Sequence, residues 1–598
     1  MVNPAGRRML HRDDRAQAGR EPGLGQDRSQ QPDPDRRGGM EVPGSIMTVE
    51  PEQGILGRRD LLVIAACLAL ALGARLFYWL RFDPPMAGDF QHYYFIAQSL
   101  LRGDLHHFIH YHYPPLYPIW MAPLVSLSLA PEVTARLSGT LAGSLTVVPL
   151  YLLGLRVFGR PSAVASAVVY AVKYLQISVQ GGAEPLMLML TLTGATLGLR
   201  ALMEPTARRT APAAAVFGLA TMAKMEGMAF FVIWLIWLGV RLLGLRPRTR
   251  AAGLAALAIA CFYLPQLPYL GSFYADTGRL VINPKLATIF YIHNEPDWSQ
   301  GSYSLHRDKF GVYTVFQRAI AEGDRHQNLS LLEYLRSNCH LVTNSYLEHV
   351  KFFRKKILPT LMDILSPVLK STMVVFLLLA MVRIRWDWRQ VRAELFLWSL
   401  ALLPFAMVPL FFPEVRFFTV TVAVLTLMLG RGAEQAARIF SRFVGGAWKH
   451  HVQLWTFILV VALMTLPDLG LMAAKKPSPS SYRLSVEDRT PAANFIREHL
   501  EPGRKIMSMW LLAPFWHLAG IEPERDLGIP IAPLDDLVTY ARQQNVQFIV
   551  AEKTESNNRY PDLIPLFDSD FKRSGLRLVY QAQGKHGGQY VIYLIEPK

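Results

Sequence analysis

Eleven apolar runs, each long enough or nearly long enough to cross a bilayer, constrain this chain more than any other feature. They begin near Asp60, Val133, Pro161, Glu184, Pro212, Met225, Ala251, Pro367, Val391, Val415 and Val452. A hydrocarbon core holds no water to satisfy peptide groups, so runs of about 20 apolar residues cross it as helices. The chain therefore reads as an α-helical polytopic membrane protein. Composition agrees: 51% of the residues are hydrophobic and 18% charged, against roughly a quarter charged in soluble domains. The net charge of +16 could suggest nucleic acid, but the basic residues are scattered among short segments between apolar runs, with no aromatic-interleaved stripe. No nucleic-acid partner is expected; membrane lipids are. Of three cysteines, Cys67 and Cys261 lie in apolar runs and Cys339 in a polar region, so no disulfide framework is expected.

The placement of basic residues sets the orientation. With a cytoplasmic N-terminus, the even-numbered gaps between runs carry Arg156 and Arg160, Arg208 and Arg209, Arg241 to Arg250, Arg383 to Arg392, and Arg431 to Lys449. Cytoplasmic loops are the Lys- and Arg-rich ones. The remaining gaps then lie outside the cytoplasm: the first outer loop 82–130, the turns at Gly181–Glu184, Lys224 and Pro413–Arg416, the long loop 271–365, and the C-terminal region. A multi-pass plasma (inner) membrane protein with a cytoplasmic N-terminus and its C-terminal domain outside is expected.

Three regions follow. Residues 1–59 are rich in Arg, Gly, Pro, Gln and Asp with no apolar run, the composition of a disordered cytoplasmic tail. They contain no short apolar segment with a small-residue cleavage site of signal-peptide type. Residues 60–472 form the transmembrane domain. Residues 473–598 begin with the linker KKPSPSS and alternate helix-like TPAANFIREHL and LDDLVTYARQQN with strand-like KIMSMW, VQFIVAE, LRLVY and QYVIYLI. That pattern predicts a small soluble α/β domain. No internal repeat of the transporter kind is evident.

Asp89 stands just beyond the first run, in GDFQHYYFIAQSLLRG (88–103). Phe90, Tyr94, Ala97 and Leu101 make an apolar stripe that would lay a helix along the membrane surface. Two roles are open to the aspartate: cap of that helix, since carboxylates accept the free amides of a first turn, or a reactive carboxylate at the boundary. The segment YHYPPLYP (111–118) follows; its proline pair fixes an extended, donor-poor chain.

This order of motifs resembles the first outer loop of the GT-C membrane glycosyltransferases, in the branch of protein O-mannosyltransferases and lipid A aminoarabinose transferases. The resemblance rests on Gly88, Asp89, Tyr93, Ala97, Leu100, Gly103 and the run Tyr113–Pro118. GLATMAKMEGMAFF (218–231) and FFPEVRFF (411–418) resemble two further family segments. The chain departs from the family in three places: Asp89 is followed by Phe90 where many relatives have a second carboxylate, Tyr113 stands where the aminoarabinose branch has lysine, and Lys224 replaces an arginine.

The resemblance implies a GT-C-like fold and transfer of a sugar, with inversion, from a polyprenyl-phosphate carrier to a hydroxyl of a glycan, lipid or protein on the extracytoplasmic face. Such a reaction needs a base and a cation for the departing phosphate. Asp89 is the candidate base, because partial desolvation at the boundary raises a carboxylate's proton affinity. Arg416 is the candidate phosphate ligand, since guanidinium binds phosphate oxygens in bidentate fashion, with Lys224 as a second cation. Either could instead be a snorkelling anchor. Glu184 and Glu226 sit at outward turns, where either could orient the sugar or pair with Lys224; Glu184 is the candidate pocket residue, and Glu226 reads as a helix-start carboxylate. His92, Tyr93, His110, His112 and Tyr113 are candidates to line a sugar or acceptor pocket. His107 and His110 are spaced to share a helical face, yet without a third ligand the HHFIHYH run is weak evidence for a metal; a divalent ion stays open without being favoured, and no cofactor is expected. Two other functions fit a chain of this kind: a transporter or flippase of a lipid-linked sugar, marked by ionisable residues buried within spans, and a non-catalytic assembly subunit. Lys173 is an exception to the clustering of charges at span ends, placed where it could snorkel outward.

Overall fold

The computed structural model describes residues 57–277 and 336–596, apart from residues 85, 87–88, 105–112, 337–338, 366–369, 383–386, 411–413, 445–447, 475–480, 509–514, 523–524, 530–532, 554–555, 557–560 and 569. The expected N-terminal tail and most of the long outer loop lie outside the described residues.

All eleven apolar runs are helical. Seven of these helices are long and apolar enough to cross a membrane by length and composition: Arg58–Phe82, Pro131–Val157, Glu184–Met203, Arg248–Ser272, Trp388–Leu410, Val415–Phe440 and Lys449–Ala474. The other four runs form the shorter helices Arg160–Lys173, Ala207–Ala223, Gly227–Leu242 and Lys370–Met381. The Val415–Phe440 helix is the centre of the bundle, with 72% of its apolar window buried, whereas Arg58–Phe82 and Lys449–Ala474 bury 22% each. Small residues permit the close central packing, as expected where helices associate in lipid: a Cβ added at Gly430 would run into Ser162 and Ser166 of the neighbouring helix.

Several buried polar contacts set the helix ends and breaks. The first span stops at Asp83, in the left-handed region with φ 41°. Arg136, on the Pro131–Leu145 helix, donates to the Asp83 carboxylate and to the Pro84 carbonyl at 2.7 Å each. The chain is thereby turned onto the bundle ahead of Asp89. The third run breaks at Tyr174, and the short helix Leu175–Val179 continues beyond it. Arg75, fully buried, donates to the Ala171 carbonyl beside the break at 3.2 Å and to Ala71 at 3.1 Å. Side chains can complete a broken helix in this way inside a membrane. Lys173, next to the break, does not snorkel: it is buried against Asp468 of the last span, both side chains 3% exposed. An unpaired ammonium at that depth would be costly, so the pairing overrides the reach of the lysine stem toward water. The turn after the short helix needs Gly181, whose φ is +79° and whose added Cβ would meet Ala135 Cβ at 2.7 Å. Glu184 opens the next span from this turn.

The C-terminal region contains a five-stranded sheet: β1 Lys505–Ser508, β2 Asp526–Gly528, β3 Val546–Glu552, β4 Leu576–Gln583 and β5 Gln589–Ile595, in the order β2-β1-β3-β5-β4. β1 runs parallel to β2 and β3, while β5 pairs antiparallel with β3 and β4. Helices Ser481–His499 and Leu534–Gln543 match the two amphipathic segments of the sequence. One side of this domain leans on the bundle: Trp516 stacks with Tyr94 of the helix that follows Asp89, ring centroids 6.4 Å apart.

Candidate active site

Four helix ends converge at one end of the bundle. Asp89 begins the Phe90–Leu101 helix, Glu184 opens the fourth span, Lys224 occupies the turn between Ala207–Ala223 and Gly227–Leu242, and Arg416 lies in the 3-10 turn Val415–Phe418 leading into the central helix. The charge pattern placed all four on one side, and the structure brings them together.

Asp89 occupies the N-cap position, but its backbone is helical, with φ −80° and ψ −9°, and its side chain makes no capping bond. The carboxylate instead accepts from Arg416 at 2.9 Å and from the Tyr113 hydroxyl at 3.3 Å. The two partners are about equally open, Asp89 at 29% and Arg416 at 27% exposed. Capping is therefore not its role. Of the predicted stripe, Phe90, Tyr94 and Ala97 are buried while Leu101 is 49% exposed, because the helix ends there and its last turn leaves the bundle.

Behind Asp89 lies a closed pair. Lys224 Nζ donates to Glu184 Oε1 at 2.7 Å, with the side chains 3% and 4% exposed. Glu226 stands 3.6 Å from the same nitrogen, and the Phe417 ring lies 4.5 Å beneath it. Arg416 Nε is 3.7 Å from Glu184 Oε1 and is ion-paired with Glu414. Four carboxylates thus hold two cations in one connected network. The turn presenting Lys224 is tight: a Cβ at Gly227 would lie 2.5 Å from the Ala220 carbonyl carbon and the Thr221 amide nitrogen. This is the physical reason for glycine in the KMEG segment.

An aromatic wall flanks the network. His92 stacks on Tyr113 at 4.9 Å and 17°, and Tyr93 meets Tyr113 and Tyr117 edge-on at 5.1 and 4.9 Å. Burial pushes the His92 imidazole below its ordinary range, with Asp89 opposing the shift. Burial, reinforced by the Asp89 charge, holds the Tyr93 phenol well above its ordinary value. His92 is therefore neutral and Tyr93 protonated at neutral pH, so together they offer both donors and acceptors to a polyol. His110 and His112, expected in the same wall, lie outside the described residues. Glu414 was missed, although it stands two residues before Arg416 in FFPEVRFF; nothing in the sequence distinguishes it from a loop carboxylate. Arg75 was missed as well, since it reads as the basic end of an apolar run.

Residues 112–269 match the family of dolichyl-phosphate-mannose-protein mannosyltransferases. The match takes in Tyr113, the proline pair, Glu184 and Lys224, and leaves Asp89 and Arg416 on either side. No curated protein sequence matches the chain. Among solved structures, the chain is similar to the oligosaccharyltransferase AglB from Archaeoglobus fulgidus in complex with an inhibitory peptide and a dolichol-phosphate, at 13% identity and a TM-score of 0.46, over 85% of this chain and 72% of that one. It is also similar to ArnT from Cupriavidus metallidurans bound to undecaprenyl phosphate, at 12% identity and a TM-score of 0.40, over 89% and 97% of the two chains. The family match bears out the resemblance from Tyr113 onward, including the KMEG segment. The chain is an α-helical polytopic membrane protein with a small C-terminal α/β domain, and its residues 112–269 are similar to the dolichyl-phosphate-mannose-protein mannosyltransferases.

Proposed function

We propose that the protein transfers a sugar, with inversion, from a polyprenyl-phosphate-linked donor to an acceptor hydroxyl at the extracytoplasmic face of the plasma membrane. The observation that carries this reading is the pairing of Asp89 with Arg416 at the open edge of a charge network whose inner members are buried. Asp89 is the base. Arg416 is the phosphate ligand, and its present partners define the sequence of events. An arriving donor phosphate competes with Asp89 for the guanidinium; as the ion pair opens, the carboxylate loses the charge that stabilised its ionised form and becomes more basic. The acceptor oxygen then attacks the anomeric carbon, the bond from that carbon to the phosphate oxygen breaks, the acceptor proton passes to Asp89, and the lipid phosphate leaves on Arg416.

Lys224 has a different part from the one expected. It would have to abandon Glu184 to reach a phosphate, leaving a buried carboxylate without its closest cation, so we assign the Lys224–Glu184 pair to positioning Arg416. His92, Tyr93 and Tyr113 form the wall against which a sugar or acceptor ring can stack. The acceptor, whether glycan, lipid or protein, and the sugar are left open by these groups.

The test is comparative mass spectrometry of cell-envelope glycans with and without the protein. Loss of one sugar substituent, with accumulation of its lipid-linked donor, supports the transferase; a flippase would instead leave the donor trapped on the cytoplasmic leaflet. Reporters fused after Lys475 and at Arg248 should be active only outside and only inside the cytoplasm, respectively.

A further inference from the structure

The segment Lys351–Lys356 carries four cations in six residues, Lys351, Arg354, Lys355 and Lys356. It belongs to a continuous helical stretch, Cys339–Phe352, the π-helical turn Phe353–Ile357, and Leu358–Leu365. One stripe of this stretch faces the bundle. Val342, Ile357 and Leu361 are buried, His349 Nδ1 is 2.8 Å from the Pro409 carbonyl, and the Phe353 ring lies 5.3 Å from Phe405 and 5.2 Å from Phe418. Phe418 is two residues from Arg416, so the stretch borders the same end of the bundle as the charge network.

The other side is unusual in two respects. Leu347, Val350, Phe352 and Leu358 are 51%, 37%, 46% and 40% exposed. A helix that shows both such residues and a row of cations suits the boundary between acyl chains and headgroups. Lys351 is engaged by Glu348 at 2.6 Å, but Arg354, Lys355 and Lys356 are exposed and in no ion pair among the described residues. The wider π turn holds these three outward between inward-facing Phe353 and Ile357; such turns often mark functional positions.

We infer that Arg354, Lys355 and Lys356 form a binding site for the phosphate headgroup of an anionic membrane lipid, whose tails cover Leu347, Val350, Phe352 and Leu358. The commitment to a lipid, over a soluble phosphate, rests on the exposed apolar residues that share the surface with the cations. Each basic residue near an anionic lipid surface contributes roughly a fivefold factor in binding, so three together give on the order of a hundredfold.

The test uses the full chain in phosphatidylcholine nanodiscs with and without phosphatidylglycerol. Bound lipid is read by native mass spectrometry, and protection of the amides of residues 350–358 by hydrogen exchange. Wild type should retain phosphatidylglycerol in preference to phosphatidylcholine and gain protection there. The triple variant Arg354→Gln, Lys355→Gln, Lys356→Gln removes the three charges while keeping polar, unbranched side chains and should lose both effects, whereas the triple variant Arg354→Lys, Lys355→Arg, Lys356→Arg should keep them. Unchanged retention and protection in the glutamine variant would overturn the site. Displacement of the lipid by inorganic phosphate at matched concentration would overturn the assignment to a lipid.

Discussion

Replacing Lys224 with methionine removes one charge from the most enclosed pair in the network, and the geometry fixes the expected size of the effect. Glu184, 4% exposed, would be left with Arg416 Nε at 3.7 Å as its nearest cation. Breaking a buried ion pair from one side costs about 3–5 kcal/mol, because an uncompensated charge remains. The residual Arg416 contact places the expected loss near the lower end, about 3 kcal/mol by the same principle. Glu184→Gln should cost a similar amount, leaving Lys224 with only Glu226 at 3.6 Å. The double variant Glu184→Gln, Lys224→Met leaves no orphaned charge and should recover much of the stability. Groups in contact typically show coupling of about 0.5–3 kcal/mol, and coupling toward the upper end is expected here. The assay is a double-mutant cycle on the purified protein in detergent, by reversible denaturant unfolding or, failing reversibility, by unfolding rates. Additive losses in the double variant would refute the claim that the two charges serve each other.

Other outcomes are equally specific. Arg416→Ala should weaken donor binding more than Arg416→Lys, because lysine keeps the charge and loses the bidentate fork; equal and negligible effects in a lipid-carrier binding assay would reduce Arg416 to an anchor. Gly227→Ala should destabilise the protein by about 1–3 kcal/mol, the usual cost of forced overpacking, since the new methyl meets backbone atoms at 2.5 Å. Its donor affinity should fall as Lys224 and Glu184 shift, and wild-type melting would contradict this. For His92, whose imidazole is depressed by burial from its ordinary 6.5, the unfolded chain takes up a proton more readily than the folded one. Stability should therefore be full above pH about 6.5 and fall as pH drops below it; His92→Gln should flatten that part of the curve, and an unchanged slope would remove His92 as its source.

Much of this arrangement was legible in the sequence because membranes enforce simple rules. Apolar length located all eleven helices, and the distribution of arginine and lysine put Asp89, Glu184, Lys224 and Arg416 at the same end before any contact was visible. The alternation of helix-like and strand-like segments gave four of the five strands; β2, only three residues long, has too little sequence to show a period. What remained hidden were partnerships. Sequence spacing cannot show that Lys173 meets Asp468 from a span 295 residues away, or that Arg75 serves a carbonyl freed by a helix break. Asp89 illustrates the same limit: its position left cap and reactive carboxylate both open, and its ion pair with Arg416, 327 residues later, could not be read from spacing.

The most direct measurement of the central claim is sugar transfer by Asp89→Asn alongside its donor binding. The amide preserves the size of the side chain but cannot accept the acceptor's proton, and losing a general base costs about two to four orders of magnitude in rate. Membrane expression should stay near wild type, because the side chain makes no capping bond, and donor binding should persist or strengthen, because Arg416 is released from a competing carboxylate. Transfer should collapse. Near-normal transfer by Asp89→Asn would contradict the account and move the search for the base to the other carboxylates of the network.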